Sequence, residues 1–226
     1  MRPIQLLPGV VVDSPSEFVK LLLTEAERQV AEMAFADPVA GAEFIIAADA
    51  LNLHRLIWRC TEEWGVESVS KPLIQQLKTE ICRHRRYDPD EFESACHATR
   101  YRARLPFGWT ALDLALFRAV KRPIRLLHPD VATSTLAARF ANVALQLQLI
   151  QLDKPILLPI EQLRQLFGVR KIVSSGTVTR LVEAGVLQCV NEKYHTGKAR
   201  EFLFKGVEHE HYEEVGTIPR EELAEV

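Results

Sequence analysis

The chain has 226 residues, 47% of them hydrophobic, which supplies one large or two small domains with a substantial core and excludes a disordered polypeptide. The formal net charge is −2, so bulk charge argues neither for nor against a polyanionic partner, and the distribution of charge has to decide. No apolar run approaches the ~20 residues of a membrane span, and Pro8 cuts the N-terminal apolar stretch too early for a secretory leader.

Residues 1–13 are apolar but broken by Pro3 and Pro8, and read as an extended lead-in. Ser14-Pro15-Ser16-Glu17 is a helix start, with Ser14 as N-cap, Pro15 at the first helical position and Glu17 at the capping-box place. The helix it opens, over about residues 18–35, carries Phe18, Leu21, Leu22, Ala26, Val30 and Met33 at helical spacing. A second helix over about 39–64 is apolar on so much of its circumference that burial on more than one side is expected, and Gly65 suits its C-cap. Ser70-Lys71-Pro72 reopens a helix to about 84, with Leu73, Leu77 and Ile81 four apart. Asp88-Pro89-Asp90-Glu91 starts another, reaching about 104, since acids in a first turn suit the positive end of the dipole. Thr110 opens a helix to about 120, and His128-Pro129-Asp130 is the expected domain boundary. A further helix over about 134–152 carries Leu136, Phe140, Val143, Leu147 and Ile150.

The last quarter carries most of the functional signal. Pro155 to Pro159 is a short apolar strand, and the helix after it turns Ile160, Leu163, Leu166 and Phe167 inward. Gly168 fits a turn that needs positive φ. The next helix, about 170–184, has an expected apolar set of Val173, Val178, Leu181 and Val182. That leaves Lys171, Ser174, Ser175, Thr179 and Arg180 outward, small polar residues and bases of the kind that let a helix approach base edges. Gly185 ends the helix in the left-handed region. A strand over 187–190 leads to the loop 192–200, which carries Lys193, His195, Lys198 and Arg200, and 201–204 returns as a strand. Helix, strand, two helices and a basic hairpin follow the order of a winged helix-turn-helix, which puts one helix in the major groove and a basic loop on the phosphates.

The charge agrees with that order. Between Lys154 and Lys205 stand nine bases and four acids, inside a chain that is −2 overall. From 207 to 226 the acids number seven, from Glu208 to Glu225, against Arg220 alone. This tail reads as a solvated end; the sharper alternative is a shield for the basic loop until DNA displaces it. Leu181-Val182-Glu183-Ala184-Gly185-Val186-Leu187 resembles the helix exit of many bacterial winged-helix domains. The hairpin residues from Tyr194 to Phe202 are similar to the C-terminal winged helix of phage and plasmid replication proteins, including primase-linked ones. The resemblance covers about a quarter of the chain. It implies a DNA-binding accessory, with neither the phosphate-cradling loop of a motor nor the acidic metal site of a polymerase.

Two base-and-tyrosine clusters, Arg83-His84-Arg85-Arg86-Tyr87 and Arg100-Tyr101-Arg102-Ala103-Arg104, suit helix C-termini and also a second nucleic-acid surface. Cys60, Cys82, Cys96 and Cys189 form no Cys-x-x-Cys pair, so free thiols in a reducing cytosol are expected. Cys82-x-His84 and adjacent Cys96-His97 lack the knuckle spacing of a zinc site, and Glu208-His209-Glu210-His211 suits only adventitious metal. No nucleophile turn accompanies the histidines, so no catalytic residues, metal or cofactor are expected.

The sequence therefore predicts a mainly α protein of the cytoplasm: an all-α helical domain over 1–132, a winged helix with a small β-hairpin over 133–206 and an acidic tail over 207–226. Its predicted function is DNA binding, duplex in kind, as an accessory of replication or transcription. Lys171, Ser174, Ser175, Thr179 and Arg180 would face the groove, and Lys193, His195, Lys198 and Arg200 the backbone. The helical domain would self-associate, as a homodimer, or hold a replication or transcription partner. The alternative is an interaction scaffold whose winged helix binds protein.

Overall fold

A computed structural model describes residues 4–7, 10–12, 14–34, 41–121, 135–190 and 200–206. The chain is mainly helical with little sheet, and it divides between Trp109 and Thr110 into two compact units.

In the first unit, β1 (Ile4–Leu7) pairs antiparallel with β2 (Val10–Val12), Ile4 opposite Val12, with an irregularity between Gln5 and Leu7. The expected extended lead-in is thus a two-stranded ribbon, and the N-terminal half is not all-α. The dipeptide between the strands, Pro8-Gly9, is a turn signal, and the valine run after it favours extended backbone. Four helices follow: α1 (Pro15–Ala34), α2 (Gly41–Trp64), α3 (Lys71–Arg85) and α4 (Pro89–Thr99), with one 3-10 turn, Val66–Ser68, after α2.

The N-termini of α1, α3 and α4 are set by short polar side chains that satisfy the first free amides. Ser14 Oγ accepts from the Glu17 amide at 3.4 Å, and Ser70 Oγ from the Leu73 amide at 3.3 Å. Asp88 Oδ1 accepts from the Asp90 and Glu91 amides at 2.9 and 3.2 Å. Phe18 and Leu22, Leu53 and Leu56, Ile74, Leu77 and Ile81, and Phe92 and Cys96 form one buried cluster with Phe107. Each such side chain, fully buried, is worth about 2 kcal/mol. α4 stops at Thr99, short of the expected 104: the buried Thr99 hydroxyl bonds back to the Ala95 carbonyl at 2.8 Å, and the Arg102 amide closes a turn onto the Thr99 carbonyl at 2.9 Å. The loop beyond is strapped to α2. Arg55 Nε donates to the Leu105 carbonyl at 3.2 Å, the Phe107 amide to the Arg55 carbonyl at 2.9 Å, and buried Arg59 Nη1 to the Phe107 carbonyl at 3.0 Å.

The second unit begins with α5 (Ala111–Lys121), opened by a reciprocal box in which the Thr110 amide donates to Asp113 Oδ2 and the Asp113 amide to Thr110 Oγ1, at 2.8 and 3.2 Å. The boundary expected at 128–130 thus falls earlier. The cause is packing: Ala111, Leu112, Ala115, Leu116 and Ala119 join the core built on Phe140 of α6 (Thr135–Gln151). α6 is the hub, buried from Phe140 to Leu147 without interruption. β3 (Ile156–Leu157), α7 (Ile160–Leu166), α8 (Lys171–Glu183), β4 (Leu187–Cys189) and β5 (Glu201–Phe204) complete the unit. The strands form one antiparallel sheet in the order β3-β5-β4, with Ile156 opposite Phe202 and Leu187 opposite Phe204. Gln148 ties α6 to this sheet. Its Nε2 donates to the Leu152 and Lys154 carbonyls, the latter at 3.0 Å, and its Oε1 accepts from the Phe204 amide at 3.1 Å.

Candidate nucleic-acid interface

α8 is positioned by what it buries. Ser174, Thr177, Val178 and Leu181, spaced i, i+3, i+4 and i+7, form its inner face, with Val178 and Leu181 in the Phe140 core. Ser174 is a correction. It was expected to face a groove, yet it is fully buried, its hydroxyl donating to the Lys171 carbonyl at 2.9 Å. Thr177 does likewise with the Val173 carbonyl at 2.8 Å. A hydroxyl that bonds its own helix can go inside at little cost, so polarity of type misleads about direction at these two positions. Val173, expected inside, is exposed.

The outer face follows by helical spacing. Ile172, Gly176, Thr179 and Glu183 stand opposite the buried set, with Lys171 and Ser175 on one flank and Arg180 on the other, and all are exposed. Lys171, Ser175, Thr179 and Arg180 are therefore all accessible, with Thr179 on the outer face and Lys171 and Arg180 on opposite flanks of it. Ile172 and Gly176, at the centre of that surface, are absent from the sequence-predicted set. Ile172 is 80% exposed, and a Cβ at Gly176 would meet nothing within 4 Å. The signal for both was the strict spacing of the four buried positions, hidden because two of them are hydroxyl residues.

The ends of α8 are sharply defined. Gly168, at φ 63°, turns the chain out of α7, and exposed Arg170, in extended conformation, precedes the helix. Among the described residues no side chain caps its first amides, and the positive end of the helix dipole lies beside Arg170 and Lys171. Gly185, at φ 72°, lets the Val186 amide fold back on the Leu181 carbonyl at 2.9 Å, a conformation a Cβ would strain. On α7, the Arg164 guanidinium beside Glu161 holds that carboxyl below its usual pKa.

β4 and β5 are joined through residues 191–199. Lys193, His195 and Lys198 lie outside the described residues. At the ends of this connection, the Val190 amide donates to the Glu201 carbonyl at 2.9 Å, and Arg200 is exposed just before β5.

The remaining candidates resolve into packing. His54 Nε2 donates to the Cys96 carbonyl at 2.9 Å, and burial lowers the pKa of the ring. Burial pushes the Cys60 and Cys96 thiols up to about 12, far from a reactive thiolate. Cys60, Cys82 and Cys96 are free thiols. Among the described residues no group of three or more His, Cys, Asp or Glu could hold a metal ion, and no helix is long and apolar enough to cross a membrane. Residues 208–211 lie outside the described residues.

No family model matches the chain, and neither the curated proteins nor the solved structures include a significant match to it.

Proposed function

We propose that residues 135–206 are a winged helix that binds duplex DNA, with α8 in the major groove and the β4–β5 connection along the backbone. The observation that carries this is the order of elements, α6-β3-α7-α8-β4-β5 with the strands arranged β3-β5-β4, together with the excess of five positive charges between Lys154 and Lys205. The N-terminal half of α8 fits the groove best. Arg170, Lys171 and the helix dipole are positive there, Ser175 and Gly176 are small, and Ile172 offers a methyl-bearing side chain of the kind that packs on thymine. Glu183 lies at the far end, where it would repel phosphate, which favours insertion by the N-terminal end. The role follows as an accessory of replication or transcription, acting by recognition rather than by chemistry.

A second reading is favoured by a separate observation: Leu166, Ile172 and Val173 are exposed aliphatics at the α7–α8 corner, Leu166 by 58%. A protein partner could cover them. Salt separates the two. Affinity for a random-sequence 30-bp duplex, measured by fluorescence anisotropy, is expected to fall steeply between 50 and 200 mM salt. Replacing Lys198 and Arg200 by Ala is expected to flatten the log–log slope by about 2 units, roughly one per phosphate contact. An unchanged affinity and slope would overturn the placing of the β4–β5 connection on the backbone, and a duplex affinity too weak to measure at 50 mM salt would favour the protein-binding reading.

A further inference from the structure

The first unit carries a second cationic surface, in the turn after α4. Residues 97–104 read His-Ala-Thr-Arg-Tyr-Arg-Ala-Arg and contain no acid. The structure separates this cluster from the one at 83–87. There Arg83 pairs with Glu80 at 2.5 Å, while Arg85 pairs with Asp49 at 3.0 Å and Glu27 at 2.6 Å. The Tyr87 hydroxyl donates to Asp49 at 2.8 Å. Arg85 and Tyr87 are thus occupied in joining this segment to α1 and α2, and Arg83 in a pair within α3. Arg100, Arg102 and Arg104 have no carboxylate within ion-pair distance among the described residues. The neighbouring acid on α4, Glu93, is taken by Lys78 at 2.8 Å.

Tyr101 stands among these arginines, 68% exposed. The Arg100 guanidinium carbon lies 5.4 Å from its ring centroid, so a cation backs the ring while most of its surface stays in water. The turn is also fixed in advance. At one end the Arg102 amide bonds the carbonyl of buried Thr99; at the other, Leu105 and Phe107 are bonded to Arg55. A platform already ordered loses little entropy when a ligand settles on it.

We propose that this turn binds single-stranded nucleic acid, with Tyr101 stacked on a base and Arg100, Arg102 and Arg104 on the flanking phosphates. Positive charge alone accepts any polyanion. An exposed ring set among three arginines selects one that offers π-faces between phosphates, and in a duplex those faces are already stacked. This surface is independent of α8 and belongs to the other unit.

The test is fluorescence anisotropy of a dye-labelled 20-nucleotide oligo-dT with the full chain at 50 and 200 mM salt. The triple change Arg100→Ala, Arg102→Ala, Arg104→Ala is expected to weaken binding at least tenfold and to lower the salt slope by about 2 units, at ~0.7 per single-strand phosphate. Tyr101→Ala is expected to cost about 5- to 150-fold with the slope unchanged, and Tyr101→Phe to restore affinity. Thermal melts of each variant separate lost binding from lost folding, and Arg83→Ala with Arg86→Ala is the control that leaves affinity in place. An unchanged affinity in the triple variant overturns the proposal. So does a triple variant that loses binding while Tyr101→Ala does not, and so does equal competition by polyglutamate or by anionic phospholipid vesicles. Changes on α8 that abolish duplex binding but spare oligo-dT leave both readings standing, and changes on α8 that leave duplex binding intact count against the α8 reading alone.

Discussion

Gly176 occupies the centre of the outer face of α8 with open space around it. A glycine inside a helix costs about 0.5–1 kcal/mol relative to alanine, and nothing in the fold requires one at this position. Close approach of the proposed duplex would require one. Gly176→Ala is therefore expected to raise stability in urea melts by about 0.5–1 kcal/mol and to weaken duplex binding several-fold. A stabilised variant with unchanged affinity would remove close approach from the account. At this scale the sequence was only partly legible. Lys171, Ser175, Thr179 and Arg180 are exposed on α8, and Ser174 is not. Direction along a helix is set by the packed stripe, and a serine or threonine that bonds its own backbone can sit in that stripe unseen by any count of apolar residues.

A second residue-level consequence concerns Asp49, fully buried on α2, with Oδ2 bonded to Arg85 and Tyr87 and Oδ1 without a partner among the described residues. Burial raises its pKa above 3.8, and the opposing pull of Arg85 and Tyr87 does not reverse it. A carboxyl that holds its proton more tightly when folded makes stability fall as pH rises, from about the unfolded value to the raised folded one. Asp49→Asn lacks that contribution. The stability of the variant minus that of the parent is thus expected to grow with pH from 3.8 upward and then level off, as read from urea melts at a series of pH values. A difference flat in pH would mean that burial does not govern this group.

Among the elements, helix starts were the most readable. Ser14, Ser70, Asp88 and Thr110 each satisfy amides at the start of the helix they precede, because a short acceptor before an apolar stripe has few other uses. The ribbon β1–β2 was not anticipated, since proline-broken apolar stretches score poorly as strands although Pro8-Gly9 itself invites a reversal. Gln148 was equally unannounced: a glutamine on an apolar helix gives no hint that it serves two carbonyls and an amide of a strand 56 positions on. Gln148→Ala strands the Phe204 amide and is expected to cost about 1–3 kcal/mol by urea melt. A loss below about 0.5 kcal/mol would show that water replaces the side chain at no penalty.

For the whole molecule, composition and periodicity were enough for a mainly helical chain with a small antiparallel sheet, and insufficient for its division. The helix 111–121 looked like the end of the first half because proline-rich sequence follows it, yet its alanines and leucines belong to the Phe140 core. Which of two cores a helix joins depends on contacts distant in sequence, and no local pattern records them. Charge distribution was readable because it is a sum over residues rather than a matter of geometry. Duplex DNA is proposed to lie on the outer face of α8, and the salt dependence of full-chain binding tests that most directly. With a random-sequence duplex, Lys171→Ala combined with Arg180→Ala is expected to reduce the log–log slope by about 2 units and the affinity at least tenfold at 100 mM salt. A slope and affinity equal to those of the parent chain would contradict it.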